Sequence, residues 1–158
     1  LSNRVVAVAV GSNLGDRRAH VEFARGRLGA FLSNLRFSSS VETDPLGVPD
    51  GQPRFLNAAA VGETALPARA ILAALQAIEH ARGRQRPYAG AARTLDLDLV
   101  LAGDEVIDEP GLTVPHPRFR ERRFVLAPIA EIAPDLRDPV TGRTVAELLA
   151  RLEPERRT

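Results

Sequence analysis

An α+β fold with a mainly antiparallel sheet is predicted by three features of this chain. Apolar segments follow one another in the order strand, helix, strand, strand, helix, strand between residues 4 and 100. Residues 4–10 and 93–100 alternate or run apolar as half-buried and central strands do. Residues 17–31 and 67–82 instead repeat their apolar positions at helical spacing. That order is the split β-α-β arrangement, so the expected core is a ferredoxin-like βαββαβ domain with a small extra hairpin and helices added after it.

Composition limits what such a domain can do. A chain of 158 residues that is 44% hydrophobic and 26% charged suits one domain with a single sizeable core, here residues 1–158. There is no cysteine, which excludes disulfides, zinc ribbons and thiol catalysis. With His20, His80 and His116 the only imidazoles, a metal is expected to be held by oxygen. No apolar run approaches the roughly 20 residues that cross a bilayer, and the first ten residues make a poor signal peptide, so a cytoplasmic protein without a membrane partner is expected. A net charge of +1 argues against general nucleic-acid binding. All 21 basic residues are arginine, which suits bidentate phosphate contacts, while the lack of lysine excludes Walker A and Schiff-base chemistry.

Taken in order, residues 4–10 form the first strand, broken at Gly11-Ser12-Asn13-Leu14-Gly15. Asp16 caps a helix whose buried stripe is Val21, Ala24, Leu28 and Phe31. Residues 35–43 give a second strand and 55–63 a third, joined by a Pro- and Gly-rich connector, 44–54, too long for a tight hairpin and suited to closing over a ligand. On the third strand Phe55 and Asn57 share a face, pairing an aromatic surface with an amide, although core packing of Phe55 fits the pattern too. Pro67 opens the second helix as a first-turn residue, Ile71, Leu75 and Ile78 form its stripe, and Gly83 ends it. Gln76 and Glu79 lie one turn apart near its end, with Arg84 and Arg86 just beyond. After residue 100, Gly103-Asp104 reads as a hairpin turn with 105–107 as its return strand. His116, between Pro115 and Pro117, sits in a restricted backbone, and residues 125–132 and 145–152 read as short helices.

Chemistry concentrates in the stretch Arg93-Thr94-Leu95-Asp96-Leu97-Asp98. On a strand, Asp96 and Asp98 share one face while Leu95 and Leu97 take the other. Two carboxylates so placed stand roughly 6–7 Å apart, close enough to share one hard cation or bridge two. The pair suits Mg²⁺ and a phosphate substrate. A half-buried strand whose polar face simply meets water would carry the same two acids.

Across nearly its whole length the chain resembles the 6-hydroxymethyl-7,8-dihydropterin pyrophosphokinases of folate biosynthesis. The resemblance rests on Gly11 to Gly15, Thr43 with Pro45-Leu46-Gly47, Phe55-Leu56-Asn57-Ala58, Gln76 with Glu79, Arg84 with Arg86, the segment Arg93 to Asp98, and Thr113-Val114-Pro115-His116 followed by Arg122 and Phe124. It implies transfer of pyrophosphate from ATP to the pterin hydroxymethyl group with release of AMP. Asp96 and Asp98 would hold two Mg²⁺ ions, and Arg84, Arg93, His116 and Arg122 would neutralise phosphate oxygens, with Arg86 also on ATP. Thr43, Pro45, Leu46 and Asn57 would meet the pterin's polar edge and Phe55 and Phe124 its two faces. Gln76 and Glu79 would belong to the cleft floor near ATP and pterin, and a monomer is the expected state.

The chain departs from the family's usual pattern at Ala89, where a charged residue is common, at Ala91-Ala92, which replaces a frequent Gly-Pro, and at Phe55, where tyrosine is typical. The loop 87–92 should therefore lend ATP less direct charge. A polymerase-palm nucleotidyl-transfer domain would place two aspartates on a similar sheet but release pyrophosphate. An RNA-binding module of this fold would carry sheet aromatics near Arg-Gly-Phe patterns, which are missing here.

Overall fold

The computed structural model describes residues 2–43, 54–83 and 94–152. Its elements are β1 (Arg4–Ser12), α1 (Arg17–Leu28), β2 (Ser33–Phe37), β3 (Val41–Thr43), β4 (Phe55–Thr64), α2 (Ala68–Ala81), β5 (Asp96–Ala102), β6 (Ile107–Glu109), β7 (Leu112–Val114), a 3-10 turn (Phe119–Glu121), α3 (Arg123–Ile132) and α4 (Val145–Arg151). The main sheet runs β2-β4-β1-β5, with β3 beside the other end of β4, and its pairings are antiparallel. The expected ferredoxin-like core is present, wrapped as three layers.

Strand alternation divides the sheet's apolar residues between its two faces. Val6, Val8 and Val10 of β1 meet Val21, Ala24 and Leu28 of α1 and Ile71, Leu75 and Ile78 of α2 in one core. Ala7, Ala59, Val61 and Val100 face the other way, under Phe119, Val125, Leu126, Ile129, Val145 and Leu148. Apolar burial on both faces explains why β1 reads as a continuous apolar run. The helix starts are fixed locally: Asp16 Oδ1 accepts the Ala19 N–H at 3.1 Å, and Thr144 with Glu147 forms a reciprocal capping box. Among the described residues no helix is long and apolar enough to cross a membrane.

Three sequence expectations change. The second strand is two, because Ser38, buried, donates its N–H to the Ala59 carbonyl at 2.9 Å while its hydroxyl accepts the Ala59 N–H at 2.8 Å, so the chain jogs there between β2 and β3. Pro67 is the N-cap of α2, one residue outside the helix. Residues 105–107 do not return along β5. Arg4 Nε donates to Glu105 Oε2 at 2.8 Å and Arg4 Nη1 to the Thr64 carbonyl at 2.9 Å, drawing the turn toward the start of β1, and the small hairpin forms instead between β6 and β7. The 44–53 connector lies outside the described residues.

Gly62 on β4 shows how tightly the α1–β2 link crosses the sheet. A Cβ there would lie 2.8 Å from Leu32 Cβ and 3.1 Å from the Ser33 carbonyl oxygen. Gly62→Ala is therefore expected to lower the unfolding free energy by about 1–3 kcal/mol, read from urea denaturation. An unchanged midpoint would mean that the link moves aside without strain.

Candidate active site

The site is laid out by the register of β1, the strand between β4 and β5. Gly11 stands opposite Asn57 on one side and Asp96 on the other, and Ala9 stands opposite Ala59 and Asp98. By alternation, Phe55, Asn57, Gly11, Asp96 and Asp98 share the face that α3 and α4 cover farther along the strands. Neighbouring strands lie about 4.8 Å apart, so the Asn57 and Asp96 backbones face each other across roughly 10 Å. Ala9 and Gly11 are the floor between them. A Cβ on Gly11 would lie 3.4 Å from Asn57 Oδ1 and 3.6 Å from Phe55 Cδ1, so the missing side chain keeps that floor low.

On the β4 side, Asn57 is 6% exposed and its Nδ2 donates to Thr43 Oγ1 at 2.5 Å. That bond fixes which way the amide points and leaves its oxygen beside Gly11. Thr43 itself lies opposite Phe55 in the ladder, so Thr43, Phe55 and Asn57 come together from two strands. Phe55 is half-buried.

The β5 side carries the two carboxylates, both half-buried. Between them, the Leu97 N–H is accepted by Glu79 Oε2 at 2.8 Å. Glu79 is 3% exposed and reaches from the last turn of α2, whereas Gln76, one turn earlier, is exposed. Glu79 thus braces the strand that bears the aspartates, and the helix does not present it together with Gln76.

His116 closes the third side. Its N–H bonds the Val100 carbonyl at 3.0 Å, and its Nδ1 accepts the Arg118 N–H at 3.2 Å, which assigns the ring proton to Nε2. Burial pushes its pKa below the ordinary imidazole range, Arg122 and Arg118 push the same way, and Asp96 opposes them. The ring is therefore a neutral donor at pH 7. Arg122 caps α3, and its guanidinium carbon lies 5.7 Å from the centroid of the Phe124 ring. His116, Arg122, Phe124 and Asp96 thus gather around one end of the sheet.

Pro45, Leu46, Arg84, Arg86 and Arg93, and the loop with Ala89, Ala91 and Ala92, lie outside the described residues. Sequence reasoning did not pick Gly11 as a site residue. Its signal was present: two small residues, Ala9 and Gly11, at the positions that strand pairing sets beside an Asp-x-Asp segment. It also missed Arg82, whose Nε donates to His20 Nδ1 at 3.0 Å and which stacks 4.7 Å above Phe23, tying the end of α2 to α1 just before the Arg84 segment.

For a metal, Asp96 and Asp98 offer hard oxygen donors on one open face. Among the described residues no third His, Asp or Glu completes a ligand cluster. That set fits Mg²⁺, which keeps waters and takes one or two carboxylates together with substrate phosphates.

A family model described as 7,8-dihydro-6-hydroxymethylpterin-pyrophosphokinase matches residues 7–134. A Pseudomonas aeruginosa protein named 2-amino-4-hydroxy-6-hydroxymethyldihydropteridine pyrophosphokinase is 47% identical over 150 residues, covering 92% of this chain and 90% of the relative. A Bacillus subtilis protein of the same name is 41% identical over 142 residues, covering 89% of this chain and 84% of the relative. Among solved structures, a Plasmodium falciparum HPPK-DHPS triple mutant with pteroate superposes with a TM-score of 0.73 at 13% identity, a likeness of fold. It covers 95% of this chain, which spans only 43% of that longer one. The chain belongs to the 7,8-dihydro-6-hydroxymethylpterin-pyrophosphokinase family.

Proposed function

We propose that this protein transfers pyrophosphate from ATP to the hydroxymethyl group of 6-hydroxymethyl-7,8-dihydropterin, giving AMP and the pterin diphosphate in folate biosynthesis. The observation that carries the reading is the row Asn57, Gly11, Asp96: a buried amide and a carboxylate pair on one face, separated by a floor of one glycine and one alanine. A flat pterin fits the first, a triphosphate reaches the second, and the reacting atoms meet between them.

In this reading Asn57 and Thr43 bond the pterin's amide-like edge, Phe55 and Phe124 hold its faces, and Pro45 and Leu46 complete the pocket from the connector. The hydroxymethyl oxygen attacks the β-phosphorus, the bond from that phosphorus to the oxygen bridging it to the α-phosphorus breaks, the hydroxyl proton passes to solvent water, and AMP leaves with the bridging oxygen. His116 donates its Nε2–H to a phosphate oxygen, and Arg122, Arg84, Arg86 and Arg93 add charged donors as negative charge moves to the leaving group. Asp96 and Asp98 would hold two Mg²⁺ ions, which supply charge neutralisation of the triphosphate and polarisation of the attacking hydroxyl. Glu79 supports the carboxylates through the backbone between them, while Gln76, exposed one turn earlier, takes no part. The protein acts in this reading as a cytoplasmic monomer, with residues 1–158 as one catalytic domain.

Incubation with ATP, Mg²⁺ and the hydroxymethyl dihydropterin, followed by chromatography, tests the reaction class. AMP and the pterin diphosphate are the expected products. ADP would point to ordinary phosphoryl transfer, and free pyrophosphate to attack at the α-phosphorus, and either would overturn the proposal.

A further inference from the structure

Arg120 lies four positions after His116 and two before Arg122, so it sits inside the arch that carries both phosphate-facing groups. That arch is held at its ends and centre. His116 is tied to β5 through the Val100 carbonyl, the Phe119 N–H returns to the His116 carbonyl at 3.3 Å, and the Arg122 N–H returns to the Phe119 carbonyl at 3.3 Å. The Arg122 carbonyl then accepts the Val125 and Leu126 N–H groups that start α3. Phe119 is fully buried and anchors the middle.

Arg120 adds a charged anchor of unusual definition. Its Nε donates to Asp138 Oδ2 at 2.5 Å and its Nη2 to Asp138 Oδ1 at 2.9 Å, a bidentate pair, while the guanidinium lies 4.8 Å over the Phe119 ring. Asp138 has no exposed side-chain surface, and it also accepts the Val140 N–H at 3.0 Å and the Thr141 hydroxyl at 2.8 Å. Its backbone bonds Arg143 and Gly142 at 2.8 Å each, closing the turn before α4. Burial alone would push the Asp138 carboxyl up, but Arg120, Val140 and Thr141 together hold it below the usual carboxylate range, so it is ionised at neutral pH. A buried carboxylate fixed by four hydrogen bonds, two of them gripping a planar cation, sets orientation and not merely attraction.

We propose that Arg120 is a positioning residue for ATP: through Asp138 it fixes the His116 to Arg122 arch on the α3–α4 layer, so that both groups face the triphosphate beside Asp96. This rests on the assignment of His116 and Arg122 to phosphate binding. A brace that only stabilised the fold would leave the folded enzyme's ATP affinity alone.

The test uses Arg120→Gln, Arg120→Lys and Asp138→Asn in the full chain, with His116→Ala and Arg122→Ala as site controls, at a temperature where circular dichroism shows each folded. Titration with a non-hydrolysable ATP analogue and Mg²⁺ is expected to show affinity about tenfold weaker in Arg120→Gln and Asp138→Asn, with turnover at saturating ATP lowered by about tenfold to a hundredfold, the scale of a 1 Å misplacement. Arg120→Lys, which keeps the charge but not the fork, is expected to recover part of the affinity. Arg120 is partly exposed, so its variants report even if Asp138→Asn does not fold. Weakened controls beside wild-type affinity and turnover in Arg120→Gln would overturn the positioning role alone. Wild-type affinity in the controls as well would overturn the phosphate assignment beneath it.

Discussion

Asp98→Ala is expected to lower AMP formation by at least about 10³, equivalent to roughly 4 kcal/mol of transition-state stabilisation, while the protein keeps its fold. Asp98 stands opposite Ala9 on the open end of the sheet and is half-buried, so truncating it opens no cavity in either core. Leu97 and Leu99 on either side point into the α1–α2 core and keep β5 in place, with the Leu97 N–H still held by Glu79. Removing one of two neighbouring carboxylates also relieves like-charge repulsion, which offsets what little packing is lost. Thermal denaturation is expected to shift by no more than a surface substitution does, about 0.5 kcal/mol either way. Near-normal turnover would mean that Asp96 and Asp98 are a solvated strand face and that phosphate is handled elsewhere.

The parts of this design that are local were legible in the sequence. A short continuous apolar run marked β1, the Asp-x-Asp spacing put both carboxylates on one face, and Asp16 announced the start of α1, because each depends on residues only a few positions apart. What depends on pairing at a distance was not. The jog at Ser38 comes from bonds to Ala59, 21 positions away, and the turn after β5 is set by Arg4 reaching Glu105, 101 positions away. The site's central fact, that Gly11 stands between Asn57 and Asp96, is a matter of register across three strands, and register is fixed by the whole buried face and not by any one segment. Glu79 read as one of two residues on a helix side; only the packing of α2 on β5 turns it toward the Leu97 N–H and leaves Gln76 outside.

The pterin pocket offers the second large effect. Asn57→Leu is expected to weaken pterin binding by at least as much as Phe55→Ala. Asn57 is nearly buried, held by Thr43, with its oxygen beside the Gly11 floor, so a leucine of similar size fills the space but leaves the pterin's polar edge without a partner. An unpaired polar group in a closed site costs about 1–3 kcal/mol, or tenfold to a hundredfold in affinity. Phe55→Ala removes one stacking face, worth on the order of 1–3 kcal/mol for a base-like ring. Phe55→Tyr should change little, because the ring supplies the contact and the residue is not fully buried, so an added hydroxyl can reach water. Affinity for the ATP analogue should hold in all three, since Asp96 lies two strands away from β4 and His116 and Arg122 are carried by the segment after β7, not by β4. Titration of pterin in the presence of that analogue decides the matter: unchanged pterin affinity in both Phe55→Ala and Asn57→Leu would mean that β4 offers only core packing here and that the pterin binds on another surface.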